Sequence, residues 1–254
     1  MGGSLPIASF RRCCGLWREN NPLVATSLVG YATSVLPYAS DRGGECKLLD
    51  LSRHHSLRGV RTSSLRYLST SAQSEAVLDS MLVEWQQGDN PLLTVNDWMR
   101  AAYHLAQYLP SKRQDILSRQ RARLATDDAR AEFDFVSRGC DTTPSVQDSL
   151  FASLLLVENR RVEPWAAQLL SLLNDPISEP HNNRFLLPAL DVLEEVQRTS
   201  AIFFPGDWLA ALLSHHRSEE ARALVSDWIT RHPDYPTPLM NKVKQNAYRL
   251  LLGR

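Results

Sequence analysis

From Glu75 onward the apolar positions of this chain recur every three or four residues. Ala76, Val77, Leu78, Met81, Leu82 and Trp85 fall on one helical face, and Gly88 supplies a stop. Thr94 then opens TVNDWMRAAYHLAQYL, with Asp97 three residues on in a capping-box-like start, and Pro110 closes it. Ser111 with Gln114 begins SKRQDILSRQRARL, and Asp127 or Asp128 caps ARAEFDFVSR, which ends before Gly139. Thr143-Pro144 is an N-cap and first-turn pair for SVQDSLFASLLLVENR, and Pro164 starts PWAAQLLSLLN, with Pro176 after its end. Pro188 interrupts the following segment before LPALDVLEEVQRT resumes. Pro205 to Asp207 start WLAALLSHH, Ser218 caps EEARALVSDWITRH, and Pro236 to Pro238 open LMNKVKQNAYRLLLG.

This rhythm predicts about ten short helices with tight connections and no credible strand. A faint repeat accompanies it. Trp165-x-x-x-Leu169-Leu170-Ser171 matches Trp208-x-x-x-Leu212-Leu213-Ser214 at an offset of 43 residues. That offset lies within the period of roughly 40–47 of HEAT- or armadillo-like helix pairs. The expected fold is all-α: a right-handed superhelical array of antiparallel helix pairs, each burying its apolar stripe on its neighbours.

Residues 1–74 have a different texture. No helical or strand period is sustained, and Gly-Gly pairs (2–3 and 43–44) and Ser/Arg clusters interrupt each apolar run. This stretch carries nine basic and four acidic residues, net +5, against −5 on the remainder of a chain with zero formal charge. Two domains are therefore expected: a leader over 1–74 and a helical body over 75–254. The leader reads either as a targeting segment or as an irregular, disordered stretch, not of necessity native coding sequence. As a targeting segment it is Arg- and Ser-rich and acid-poor, which favours a mitochondrial-type presequence ending near Ala72. In a secretory reading Arg11, Arg12 and Arg18 form the basic region and Leu23 to Leu36 a weak apolar one, diluted by Ser27 and Thr33. No compartment follows. Cys13, Cys14, Cys46 and Cys140 show no metal-ligand spacing and argue against a disulfide scaffold.

Candidate chemistry is sparse. None of the seven histidines is followed by Glu, so the H-E-x-x-H pattern, two helical histidines holding zinc with a general base between them, does not occur. His215-His216 before Glu219-Glu220 reads as a polar corner, with the acids in a first turn where the helix dipole favours them. Cys140 has no base or cation beside it in sequence that would make it a nucleophile. Asp127-Asp128 and Glu194-Glu195 read as caps and solvated faces. No Gly-rich phosphate loop is present. The net acidic body argues against nucleic acid as a partner, and no apolar run reaches the roughly 18 residues of a membrane span.

Residues 79–254 resemble the C-terminal helical domain of the gluzincin zinc aminopeptidases related to alanyl aminopeptidase, specifically a bacterial branch. The segments that carry the resemblance, in order, are GDNPLLTVNDWMRAAYHLA, EFDFVSRGCD, DSLFASLLLVENRRVEPW, LDVLEEVQRTSAIFFPGDW, HHRSEEARALVSDWITRHPDY and LMNKVKQNAYRL. The specificity lies in their order and spacing. In such enzymes the zinc ligands, the general base and the loop that holds the substrate amine lie in earlier domains. The resemblance therefore implies no catalytic, cofactor-binding or metal residue on this chain, with zinc belonging to the parent enzyme. It implies a body that packs on a catalytic domain and helps enclose a peptide substrate chamber. Residues 1–74 do not share it.

Two local features follow as candidates. Glu158, Asn159, Arg160 and Arg161 end a strongly apolar helix with charged and amide groups. They are either an interface or a solvated helix end. Arg198, Phe203, Phe204, Pro205 and Trp208 form an interhelical corner. There Phe203 and Phe204 anchor the turn in the core and Pro205 sets the entry of the next helix, or the corner contacts a substrate or domain directly. The function expected is a non-catalytic helical domain of a zinc aminopeptidase, present as a fragment or separated domain. Its partner would be the catalytic domain or a self-associated copy. The alternative is a stand-alone helical-repeat interaction scaffold.

Overall fold

The computed structural model describes residues 19–38 and 43–253. Arg11, Arg12 and Arg18, the basic region of the secretory reading, lie outside them, as do Cys13 and Cys14. Fifteen α-helices and no strand occur among the described residues, so the fold is all-α. None of these helices is long and apolar enough to cross a membrane. The chain divides into two compact units, residues 1–120 and 121–254.

The first unit departs from the sequence pattern. Where no regular structure is expected, three helices form: α1 (Pro22–Val35), α2 (Gly43–His54) and α3 (Arg58–Ser71). α1 starts on a conventional signal, Asn21 accepting from the backbone N–H groups of Leu23 and Val24, with Pro22 in the first turn. The buried faces explain why the periodicity is hard to see. α1 buries Ala25, Val29 and Ala32; α2 buries Gly44, Glu45, Leu48, Leu51 and Ser52; α3 buries Val60, Ser64, Leu65, Leu68 and Ser69. Small and polar residues occupy positions that a hydrophobic period would mark as exposed. α3 packs against α1 and α2, and also against α5 (Val95–Tyr108); α4 (Glu75–Gln87) packs against α2 and α5.

Polar ties hold this unit. The buried Glu45 carboxylate accepts from the backbone N–H of Gln73 (3.0 Å), and from the N–H and hydroxyl of Ser74 (both 2.8 Å). It thereby satisfies donors at the start of α4 that the helix cannot pair itself. Thr94 and Asp97 form the expected capping box of α5, and Arg66 on α3 donates to Asp97 (3.0 Å). Gly88 ends α4 in the left-handed conformation (φ 64°). Trp85, fully buried, donates to Gln120 (2.9 Å). The last helix of the unit, α6 (Arg113–Ala122), runs through the boundary.

The second unit is built on apolar packing. It comprises α7 (Asp127–Val136), α8 (Pro144–Leu154), α9 (Glu163–Leu173), α10 (Leu186–Asp191), α11 (Leu193–Thr199), α12 (Phe204–Leu213), α13 (Glu219–Arg231), α14 (Thr237–Asn246) and α15 (Tyr248–Leu251). One continuous core runs from Leu150 to Leu250. Neighbours form two rows: α7 packs on α9, α9 on α12 and α12 on α14, while α10 packs on α13 and α13 on α15. The predicted starts at Pro144, Pro164 and Ser218 all begin helices, and Ser218 accepts from the Ala221 N–H (3.1 Å). The segment after Pro188 is split at Val192, and the helix over 144–160 ends at Leu154.

The Trp165/Trp208 pair lies on α9 and α12, two helices that pack directly. The environments differ: Trp165 is half-buried beside Phe135 (6.0 Å between ring centroids), whereas Trp208 is fully buried and donates to the Ala189 carbonyl (3.1 Å). Close approach is decisive at Gly139, in the turn Ser137–Cys140 against α9. A Cβ there would lie 2.7 Å from Leu169 Cδ1, so only glycine fits without movement.

Candidate interaction site

The connection between α8 and α9 turns on Arg160. Its guanidinium is 2% exposed and donates through Nη1 to the carbonyls of Leu154 (2.9 Å) and Leu155 (2.7 Å), the last turn of α8. Nη2 donates to Glu195 on α11 (2.8 Å), and the group lies over the Trp208 ring (5.6 Å to its centroid). One planar cation thus satisfies orphan carbonyls, pairs a carboxylate and stacks on an aromatic face, a combination that lysine cannot reproduce.

This splits the Glu158–Arg161 candidate. Glu158 and Arg161 are exposed, Asn159 is half-buried and donates to the Ser153 carbonyl (2.9 Å), and Arg160 points inward. Arg160 is therefore a core strut rather than a contact at an interface. The physical reason is that α8 ends six residues before Arg160, leaving buried carbonyls that need a donor.

The corner after α11 divides likewise. Phe204 is 2% exposed, Pro205 and Trp208 are buried, and Arg198 is exposed. Phe203, expected to anchor the turn in the core, is 80% exposed, and its neighbour Ile202 is 70% exposed. Phe204 and Trp208 are four residues apart and share the inward face of α12, so Phe203, about 100° around the same axis, faces solvent. The Ala201 N–H donates to Glu163 at the start of α9 (2.7 Å), and Lys242 on α14 donates to the Ile202 carbonyl (3.4 Å). These bonds tie the corner to Lys242 and to Glu163, the neighbour in sequence of Val162, itself exposed, with exposed Leu156 and Val157 earlier in the same connection. Sequence reasoning missed Leu156, Val157, Val162 and Ile202. The available signal was apolar residues in a loop rather than on a helical stripe.

The His215-His216 corner is polar, and it is largely buried. His216 is buried between Asn174 (Nε2 to Oδ1, 2.8 Å) and Asn183 (Nδ1 to Oδ1, 3.1 Å). Asn174 donates to the Leu170 carbonyl (2.9 Å) and Asn183 to Glu220 on α13 (3.0 Å). Burial, reinforced by neighbouring His215, pushes the His216 pKa down to about 4. A neutral ring donates through only one of its two nitrogens, so only one of these two contacts with an amide oxygen is a hydrogen bond. Burial also lowers His215, with Arg217 adding to it and Asp175 opposing. The pair is a structural network that ties the 174–183 connection to the start of α13.

The remaining candidates stay apart. Cys140 is fully buried. Asp127 pairs with Arg130 (2.8 Å) in the first turn of α7 behind the Thr126 cap, and Glu195 is the partner of Arg160. Among the described residues no three His, Cys, Asp or Glu side chains converge as metal ligands would. No protein-family model matches the chain, and neither a curated protein nor a solved structure matches it.

Proposed function

We propose that this chain is a non-catalytic helical docking domain, and that its second unit packs on the catalytic domain of a zinc aminopeptidase. The observation that carries the docking reading is the exposed Ile202-Phe203 corner beside Val162. Large apolar side chains left in water close together in the chain suit burial against a partner's surface, and aromatic residues are enriched in such anchors. The choice of partner rests on the resemblance of residues 79–254 to the helical domain of those enzymes, and so does the right-handed, HEAT-like arrangement of antiparallel pairs. In that role the domain encloses a peptide substrate chamber without contributing a ligand to the zinc. The absence of H-E-x-x-H from the sequence agrees with this division of labour.

A second reading, a stand-alone interaction scaffold, draws support from α1–α3. They lie outside the resemblance, yet α2 and α3 pack on α4 and α5. Titration calorimetry against a recombinant zinc aminopeptidase core lacking its own helical domain separates the two. The docking reading expects saturable binding that Phe203→Asp weakens by tenfold or more, about 1.4 kcal/mol. No binding by the unaltered chain would leave the scaffold reading in its place.

A further inference from the structure

In the first unit, α2, α3 and the 84–92 segment line a half-open cavity of about 310 Å³. That is the low end of the range for small-molecule sites. Its apolar lining comes from Leu49, Leu65 and Leu92; its charged lining is Arg53, Arg61 and Glu84. The walls are pinned from both sides. Arg58 donates to the Pro91 carbonyl (3.2 Å), and Asn90 accepts from the Leu92 N–H (3.0 Å) while donating to Glu84. Arg61 is oriented by one bond from Nη1 to the His55 carbonyl (2.9 Å), which leaves its other N–H groups for a ligand. Arg53, at the exposed rim, has no hydrogen bond or ion pair to any described residue.

We propose that this cavity binds a small molecule with one carboxylate and a short branched apolar tail. The carboxylate lies between Arg53 and Arg61, and the tail lies against Leu49, Leu65 and Leu92. Guanidinium forks match a carboxylate in shape and charge. Two arginines and one glutamate leave a net charge of one, which suits a monoanion and opposes a phosphate dianion. The site is independent of the docking corner, because it lies wholly within the first unit.

The test is an amide-detected NMR titration of the full chain with isocaproate, with isocaproamide and inorganic phosphate for comparison. Expected are saturable shifts confined to residues 49–53, 61–65 and 84–92 with isocaproate, and none with isocaproamide. Arg53→Gln should weaken isocaproate binding roughly tenfold, the loss of one charge-assisted contact. It should change the unfolding midpoint only slightly, since Arg53 is exposed and contributes to the fold only through its charge in the last turn of α2. Equal binding of the amide, tighter binding of phosphate, unaltered affinity in Arg53→Gln, or no saturation with isocaproate would each overturn the assignment.

Discussion

The two units solve the same packing problem with different materials. The second fills its interior with leucine, phenylalanine and tryptophan, and its sequence announces most of its longer helices by an apolar stripe. In the first, α1–α3 bring helices together through glycine, alanine and serine, and bury a glutamate to cap the next helix. Small residues shorten the distance between helix axes but contribute little hydrophobic transfer energy per residue. Such a unit relies more on its specific polar ties, and each tie should be visible when it is cut.

The largest expected effect is in the second unit. Arg160→Ala removes a buried cation with its carbonyl, carboxylate and aromatic contacts at once, and should cost about 3–5 kcal/mol in denaturant unfolding. Arg160→Lys should recover only part of that loss. An Arg160→Ala cost near that of a surface mutation would mean that α8 and α11 do not depend on this strut.

Next is pH. The folded His216 pKa, about 4, lies below its ordinary value of 6.5, so between these values the unfolded chain binds a proton that the folded chain refuses. Stability is therefore complete above pH 6.5 and falls as pH drops toward 4, by at most roughly 3 kcal/mol. His216→Gln should flatten part of that slope, His215 supplying the rest in the same direction. An unchanged slope between pH 4 and 6.5 would place the proton uptake elsewhere.

Glu45→Ala probes the first unit. Loss of the cap on Gln73 and Ser74 should cost about 2 kcal/mol. Hydrogen exchange should quicken in α4 first. No change there would contradict the packing of α2 onto α4. The smallest effect on stability is at the corner: Phe203→Ser should shift unfolding by less than about 0.5 kcal/mol, because the ring is already in water. A large loss would show that Phe203 is packed.

Much of the second unit is legible in the sequence, because proline, threonine and serine starts coincide with apolar periodicity at Pro144, Pro164 and Ser218. α1–α3 are not legible, because the period is carried by Ala25, Ser64 and Glu45, residues that a hydrophobic count scores as neutral or polar. The candidate site is half legible. The positions 158–161 and 198–208 do meet, where the Arg160 guanidinium lies over Trp208. Which residues face out depends on where α8 ends and where α12 begins. Phe203 and Phe204 are alike in sequence; one step around the axis of α12 separates a core anchor from an exposed ring.

The most direct test of docking is hydrogen–deuterium exchange on the full chain, with and without the zinc aminopeptidase core. The account predicts new protection over residues 156–163 and 200–205, with α1–α3 unchanged. Binding with protection elsewhere, or no protection at the corner, would contradict it.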